Sequence, residues 1–461
     1  MRFLLGRIDY ERAWSVPYRG RDFKLDRMRE LLDRLGNPQD GLPILHVAGT
    51  KGKGSTAAML AAVLAAAGYR TGMFTSPHFE RVEERLAVDG QPCSAAELVE
   101  RVEEIRPAVE AMDRAAAAAG EIGPTYFEIV TALALVHFLR RQVDAAVLEV
   151  GLGGRLDSTN VCTPRVCVIT SVSFDHTEQL GDTLEAIARE KAGIVKPGVP
   201  VVSGVQAPEA RRVVVEVCQR HGTPLDELDV DFTFAYRPPP DLAQSDAPAR
   251  LDFRRLRPVA GDAAPAEYRD LALPLPGRHQ AANAALALAA LAPLQRGGWR
   301  IDDGSVRRGL AGLRWPGRME VVRRRPAVVL DVAHNVASIE ALLATLDESF
   351  RAARRHLIFA ASNDKDTRGM LQALLARFDT VALTRYVSNP RSVPPEELAK
   401  LADELTGRRP PVFSTPAAAW AAVERLAGRE DLICATGSFF IAAETRRLLA
   451  RILDDRSTNS T

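Results

Sequence analysis

Two hydrophobic rhythms run through this chain. Short, largely apolar runs at Leu42 to Val47, Arg70 to Thr75, Asp144 to Val150, Val166 to Val172 and Val199 to Ser203 have the pattern of buried strands. Between them, apolar residues recur at helical spacing over 22–36 (Phe23, Leu25, Met28, Leu31, Leu32, Leu35), 57–67, 97–119, 126–140 and 182–193. Strands alternating with helices predict a mostly parallel sheet with helices on both faces.

The pattern changes over 222–276. Prolines cluster at Pro238, Pro239 and Pro240, and Phe232, Phe234 and Tyr236 alternate as in an antiparallel strand, which predicts a small β appendage with a loose loop at 237–249. An Ala-rich helix follows over His279 to Leu294, and Gln295-Arg296-Gly297-Gly298 is the expected hinge. Beyond it, Val328 to Val332, His356 to Ala361, Thr380 to Leu383 and Leu432 to Ala435 are strands separated by helical stretches. The tail from Arg456 to Thr461 is expected to lack fixed structure. The reading is an α/β chain: a large, mostly parallel sheet domain with a small β appendage over 1–296, then a smaller C-terminal Rossmann-like α/β domain over 297–461.

Composition narrows the possibilities. A chain of 461 residues exceeds one ordinary core. A net charge of +1 provides no field for nucleic acid or a membrane surface, so neither is expected as a partner. The five cysteines, at 93, 162, 167, 218 and 434, form no C-x-x-C pair, which disfavours a disulfide framework or zinc site and fits a reducing cytoplasm. Neither a signal peptide nor a membrane span is expected.

Candidate chemistry centres on Gly49-Thr50-Lys51-Gly52-Lys53-Gly54-Ser55, between the first strand and its helix. Glycines there permit close backbone approach, N–H groups at the helix start face an anion, and Lys53 adds a mobile cation. The stretch departs from the strict phosphate-loop pattern, with Val47 at the first glycine position and Gly54 at the first hydroxyl position. Thr75-Ser76-Pro77-His78 follows the next strand, at the edge where open parallel sheets place ligands. Glu149 ends another strand and is either a ligand for a hard cation such as Mg²⁺ or a surface residue before a turn. His176 is a structural histidine or a second metal ligand, and Lys191 reads as a solvated mid-helix lysine. Asp331-Val332-Ala333-His334-Asn335 ends the first strand expected in the second domain and either binds ligand or caps a helix. Arg318, in Pro316-Gly317-Arg318, faces a phosphate or solvent.

Taken together, these segments resemble the folylpolyglutamate synthase and dihydrofolate synthase family, within the Mur-type ATP-dependent amide ligases. The resemblance runs from Leu25 to about Glu444 through Leu35 to Pro38, His46 to Ser55, Thr75 to His78, Glu149 to Asn160, Asp175 to Thr177, Ile187 to Gly193, Leu275 to Gln280, Pro316 to Arg318 and Asp331 to Asn335. It implies that residues 49–55 cradle ATP, with Lys53 on the transferred phosphate and Asn283, Arg318 and Asp331 also holding the nucleotide. It implies one Mg²⁺ on Ser76 and Glu149, a second on His176, and a carbamylated Lys191 supporting that second ion. Arg85, Thr125, Phe127, Leu156, Asp157 and Ser158 are the implied folate-side positions, and His334 and Ser438 lie near incoming glutamate. The implied activity joins L-glutamate to folate, or to dihydropteroate, through an acyl phosphate. It takes place in a crevice between the two domains of a cytoplasmic monomer. A cell-wall Mur ligase and a non-catalytic nucleotide-binding relative are the alternatives. Three departures stand out: Lys51 where asparagine is usual, Val336 where proline is common, and a looser C-terminal motif over Ala435 to Phe440.

Overall fold

The computed structural model describes residues 2–11, 25–257 and 267–458; the expected helical positions 22–24 and tail residues 459–461 lie outside them. The chain forms two compact units. One comprises Met1–Tyr236, Leu251–Pro274 and His279–Leu313, the other Arg237–Arg250, Leu275–Arg278 and Arg314–Thr461.

The first unit is built on β1 (Ile44–Ala48), β2 (Thr71–Phe74), β3 (Ala87–Val88), β4 (Gln91–Pro92), β5 (Ala145–Glu149), β6 (Val166–Ile169), β7 (Val201–Ser203) and β8 (Leu225–Glu227). They lie in the order β4-β3-β2-β5-β1-β6-β7-β8. The stretch from β2 to β8 is parallel, and the short β3 and β4 add an antiparallel edge. Strands β1, β5 and β6 are buried at every position, as strands covered on both faces must be. Helices Leu25–Arg34, Ala95–Ala119 and Tyr126–Arg140 share one core with Ile44, Phe74, Ala146 and Leu148. Helices Leu184–Ala192 and Pro208–His221 share another with Ala48, Cys167, Ile169 and Val201. The expected β appendage is a three-stranded sheet, β11-β10-β9, of β9 (Phe232–Arg237), β10 (Ala249–Arg255) and β11 (Glu267–Leu273).

The second unit holds β12 (Glu320–Arg324), β13 (Ala327–Leu330), β14 (Arg355–Phe359), β15 (Thr380–Leu383) and β16 (Leu432–Thr436), ordered β12-β13-β16-β14-β15. All but the antiparallel edge strand β12 run parallel. Alternate residues divide between two cores. Val329, Leu357, Phe359 and Val381 face one, and Val328, Leu330, Ile358 and Ala382 the other. That is the period-2 signature of a sheet with helices on both sides.

Three details differ from the sequence reading. The units part at Leu313/Arg314, beyond the expected hinge, because helix Asp303–Ala311 packs closely on helix Lys53–Ala66; a Cβ on Gly309 would lie 2.6 Å from Val63 Cα. The loop at 237–249 is not loose. Leu242 is buried, its N–H donates to the Ser349 carbonyl at 2.8 Å, and Arg324 bonds the carbonyls of Leu242 and Ser245 and pairs with Asp246. Residues 456–458 complete helix Phe439–Thr458. Among the described residues, no helix is long and apolar enough to cross a membrane.

Candidate active site

Parallel pairing brings the loops after β1, β2, β5 and β6 to one sheet edge. Register sets Val47 beside Glu149, Phe74 beside Leu148, and Ala48 beside Ile169. The loop after β1 is held from below by the loop after β6. Thr50 N–H donates to the Ser171 carbonyl (2.8 Å) and Lys51 N–H to Ser171 Oγ (3.1 Å), while Thr170 Oγ1 donates to the Lys51 carbonyl (2.6 Å). Nothing in the sequence reading had marked Thr170 and Ser171; their signal is a hydroxyl pair directly after a buried strand. Gly52 caps helix Lys53–Ala66 at φ 82°, and a Cβ there would stand 2.2 Å from Asn283 Oδ1. The predicted nucleotide residue Asn283 is therefore packed against the phosphate loop. Gly52→Ala is expected to raise the KM for ATP about tenfold, read from initial rates at varied ATP, because left-handed backbone and side-chain overlap both oppose the loop's conformation.

Lys191 corrects the expectation of a solvated lysine. It is 3% exposed, and its Nζ donates to the Gly49 carbonyl at 3.0 Å, directly beneath the phosphate loop. Burial, then the charge of Lys53, pushes its amine down to about 7, while Asp175, Asp157 and Glu190 pull the other way. A lysine so placed is substantially neutral near pH 7 and can act as a nucleophile.

Glu149 is 6% exposed and its Oε2 accepts from Ser76 N–H at 3.1 Å, so two of the residues expected to bind metal are in contact. His176 takes a left-handed conformation (φ 50°) at the start of the short helix Thr177–Leu180, with Nε2 3.8 Å from Asp175 Oδ1. Among the described residues, no three His, Cys, Asp or Glu side chains gather as a metal site by themselves. A buried carboxylate beside a serine nevertheless fits Mg²⁺, which accepts one or two protein oxygens and takes the rest of its shell from phosphates and water.

Several predicted folate-side groups are already engaged. Arg85 is 1% exposed; its Nη atoms grip both carboxylate oxygens of Glu11, its Nε donates to His78 Nδ1 at 2.9 Å, and it lies over the Tyr126 ring. Thr125 caps helix Tyr126–Arg140, its hydroxyl donating to Glu128 Oε2 at 2.9 Å. Asp157 accepts from the N–H groups of Gly151, Leu152 and Thr159, each at 3.0 Å, and from the Thr159 hydroxyl. Burial raises its carboxyl above the usual range, against those hydrogen bonds. These three groups shape the loops. Phe127, by contrast, packs on Gly151 and Phe74, and Leu156 and Ser158 are half-buried. Thr159 also links Asp157 to His46, whose Nε2 is 2.8 Å from Thr159 Oγ1; burial, then Lys196, lowers the imidazole to about 3, so it stays neutral.

In the second unit, Asp331 accepts from the N–H groups of Met319 (2.9 Å) and Ala333 (2.8 Å), and burial raises its carboxyl. Arg318 lies over the Phe439 ring. His334 Nδ1 is 2.9 Å from the Val332 carbonyl, which assigns the ring proton to Nδ1. Gly437 N–H donates to the Ala333 carbonyl at 3.0 Å, bringing Ser438 to the same sheet edge as His334. Val336 is the first residue of helix Val336–Ser349, a position where proline is also well tolerated.

A parallel sheet carrying a phosphate loop, followed by a second α/β unit, is the architecture of a Mur-type ligase. Residues 47–202 match the Mur ligase middle domain and residues 317–439 the Mur ligase glutamate ligase domain. Within that class, the dihydrofolate synthase/folylpolyglutamate synthase of Bacillus subtilis is 37% identical over 92% of this chain and 94% of its own. The Mycobacterium tuberculosis protein of the same name is 38% identical over 84% of this chain and 79% of its own. The solved structure of M. tuberculosis folylpolyglutamate synthase complexed with ADP and AMPPCP superposes with a TM-score of 0.84, at 35% identity, over 92% of this chain and 95% of that one. This chain belongs to the dihydrofolate synthase/folylpolyglutamate synthase family and is an ATP-dependent ligase.

Proposed function

We propose that this chain joins L-glutamate to a folate carboxylate with cleavage of ATP to ADP and phosphate, and accepts dihydropteroate as a second substrate, as a cytoplasmic monomer. The observation that carries this reading is the phosphate loop, the Glu149–Ser76 pair and buried Lys191 together at one sheet edge, in a chain matching folate ligases over nearly its whole length. A cell-wall ligase is not favoured by those matches. The five cysteines are buried and unpaired, which suits a reducing compartment.

A carboxylate is a poor electrophile. In the proposed reaction the folate carboxylate attacks the γ-phosphate of ATP, an acyl phosphate forms and ADP leaves. The amino group of glutamate then attacks the acyl carbon, phosphate departs with the bonding pair, and the amine loses a proton. The backbone N–H groups of residues 49–55 and the Lys53 cation hold the phosphates, and Asn283, Arg318 and Asp331 hold the rest of the nucleotide. Glu149 and Ser76 would hold one Mg²⁺, and His176 with carbamylated Lys191 a second. Such ions supply Lewis-acid neutralisation of the phosphate oxygens. Phe127, Leu156 and Ser158 line the pterin, and Arg85, Thr125 and Asp157 keep that surface in shape. His334 and Ser438 orient glutamate.

Phosphate release by the purified protein is expected to require ATP, Mg²⁺, a folate and glutamate together. Mass analysis should show one added glutamyl residue per phosphate, with tetrahydrofolate and dihydropteroate assayed separately. Release independent of glutamate would overturn ligation.

A further inference from the structure

Strand β1 leads into the phosphate loop, yet its one polar side chain, His46, is bonded to the folate-side loop after β5. His46 is fully buried, and its Nε2 meets Thr159 Oγ1 at 2.8 Å. The Thr159 hydroxyl spends its proton on Asp157 Oδ1, at 2.5 Å, so toward the imidazole its oxygen can only accept. That assigns the ring proton to Nε2 and leaves Nδ1 facing the Cys162 sulfur at 3.9 Å. Donors therefore point one way along the chain, from His46 through Thr159 to the Asp157 carboxylate.

Asp157 Oδ1 also accepts from Thr159 N–H, and Oδ2 accepts from the N–H groups of Gly151 and Leu152, each at 3.0 Å. Four donors fill the lone-pair positions of two oxygens, so this carboxylate has nothing left to offer a pterin directly. What it does is fix the 151–152 turn. A Cβ on Gly151 would stand 2.6 Å from Phe127 Cζ and 3.2 Å from Asp157 Oδ2, so the turn is packed between carboxylate and ring, and a shift of one displaces the other. Leu156 and Ser158 are the chain neighbours of Asp157 and move with it. The far end of the loop is held separately: Asn160 Nδ2 donates to the carbonyls of Arg155 and Gly193, both at 3.0 Å, and Lys196 Nζ donates to Asn160 Oδ1 at 2.7 Å. Loss of the Thr159 hydroxyl would thus shift Asp157 and its turn without releasing the whole loop.

We infer that His46 and Thr159 are positioning residues for the folate side of the site: acting through Asp157, they set the 151–152 turn against Phe127 and so fix the surface that receives the pterin. The inference rests on the folate-ligase reading above and adds two residues to it, one of them on the strand that leads into the nucleotide loop. Neither side chain touches a reacting atom. A displaced pterin surface weakens substrate and transition state alike, so the effect falls on the KM for folate rather than on kcat.

Thr159→Val tests this directly. The variant keeps the branched shape and removes the hydroxyl, leaving Asp157 one donor short and the His46 N–H without its acceptor. The KM values for tetrahydrofolate and dihydropteroate should each rise about tenfold or more, while kcat and the KM values for ATP and glutamate stay within about twofold. Thr159→Ser restores the hydroxyl and should bring the KM for folate back to within about threefold of wild type. At the head of the chain, His46→Gln keeps an N–H near the place of Nε2, and His46→Phe does not. The first should bind folate about fivefold better than the second, and this pair serves if Thr159→Val fails to fold. An unchanged KM for folate in folded Thr159→Val, or a rise shared equally by ATP, would make His46 and Thr159 an ordinary buried pair, and the inference falls while the ligase stands. Wild-type protein whose phosphate release ignores folate would instead sink the ligase reading, and this inference with it.

Discussion

Lys191→Ala is expected to lower turnover by about a thousandfold or more, the scale of losing a charge-organising group at a phosphoryl-transfer centre. Wild-type protein stripped of carbon dioxide should lose activity in parallel and recover it with bicarbonate. The chemistry is R–NH₂ plus CO₂ giving R–NH–COO⁻ and a proton, and it needs the neutral amine. Because the amine is lowered to about 7, recovery should be weak at pH 6 and strong at pH 8. Stability carries the complementary signature. The unfolded chain titrates this lysine near its ordinary 10.5, so between about pH 7 and 10.5 the unfolded state binds more protons and folded-state stability rises with pH. In CO₂-free buffer, Lys191→Met should lose that part of the rise, and its Tm at pH 7 should exceed that of the wild type. Full activity in Lys191→Ala would remove the carbamate from the account.

Glu149→Gln should cost about a hundredfold to a thousandfold in kcat and shift the Mg²⁺ dependence upward by about tenfold or more. Gln retains an oxygen to accept from Ser76 N–H, so the turn after β2 keeps its contact and only the negative charge is lost. A Mg²⁺ titration of rate, paired with thermal unfolding, separates the two roles. A Tm drop as severe as the loss of rate would make Glu149 a structural support for the Ser76 turn.

Strands β1, β2, β5, β6, β7, β13, β14, β15 and β16 were readable because each is a short apolar run flanked by turn residues, and the helix over Tyr126–Arg140 was readable to the residue; the short edge strands β3, β4 and β8 were not. What stayed hidden depends on distant partners. Strand β12 is half-exposed throughout and charged at three positions; pairing with β13, rather than any hydrophobic pattern, makes it a strand. Lys191 reads as solvated because its burial depends on Gly49, 142 residues away. Motif position located Arg85, Thr125 and Asp157 but could not show that their polar atoms are taken up by Glu11, Glu128 and the 151–159 loop.

The chain does not visit its two units in sequence: 237–250 and 275–278 belong with the later unit although the strands around them belong with the earlier one. A gene cut at Leu313 would therefore give an N-terminal fragment still carrying Leu242, torn from Ser349 and Arg324, and a C-terminal fragment with that core face bare. Dissection into autonomous halves, the usual route to assigning work within a modular ligase, would yield sticky and poorly folded pieces here. Point substitutions in the intact polypeptide are the tool this topology permits.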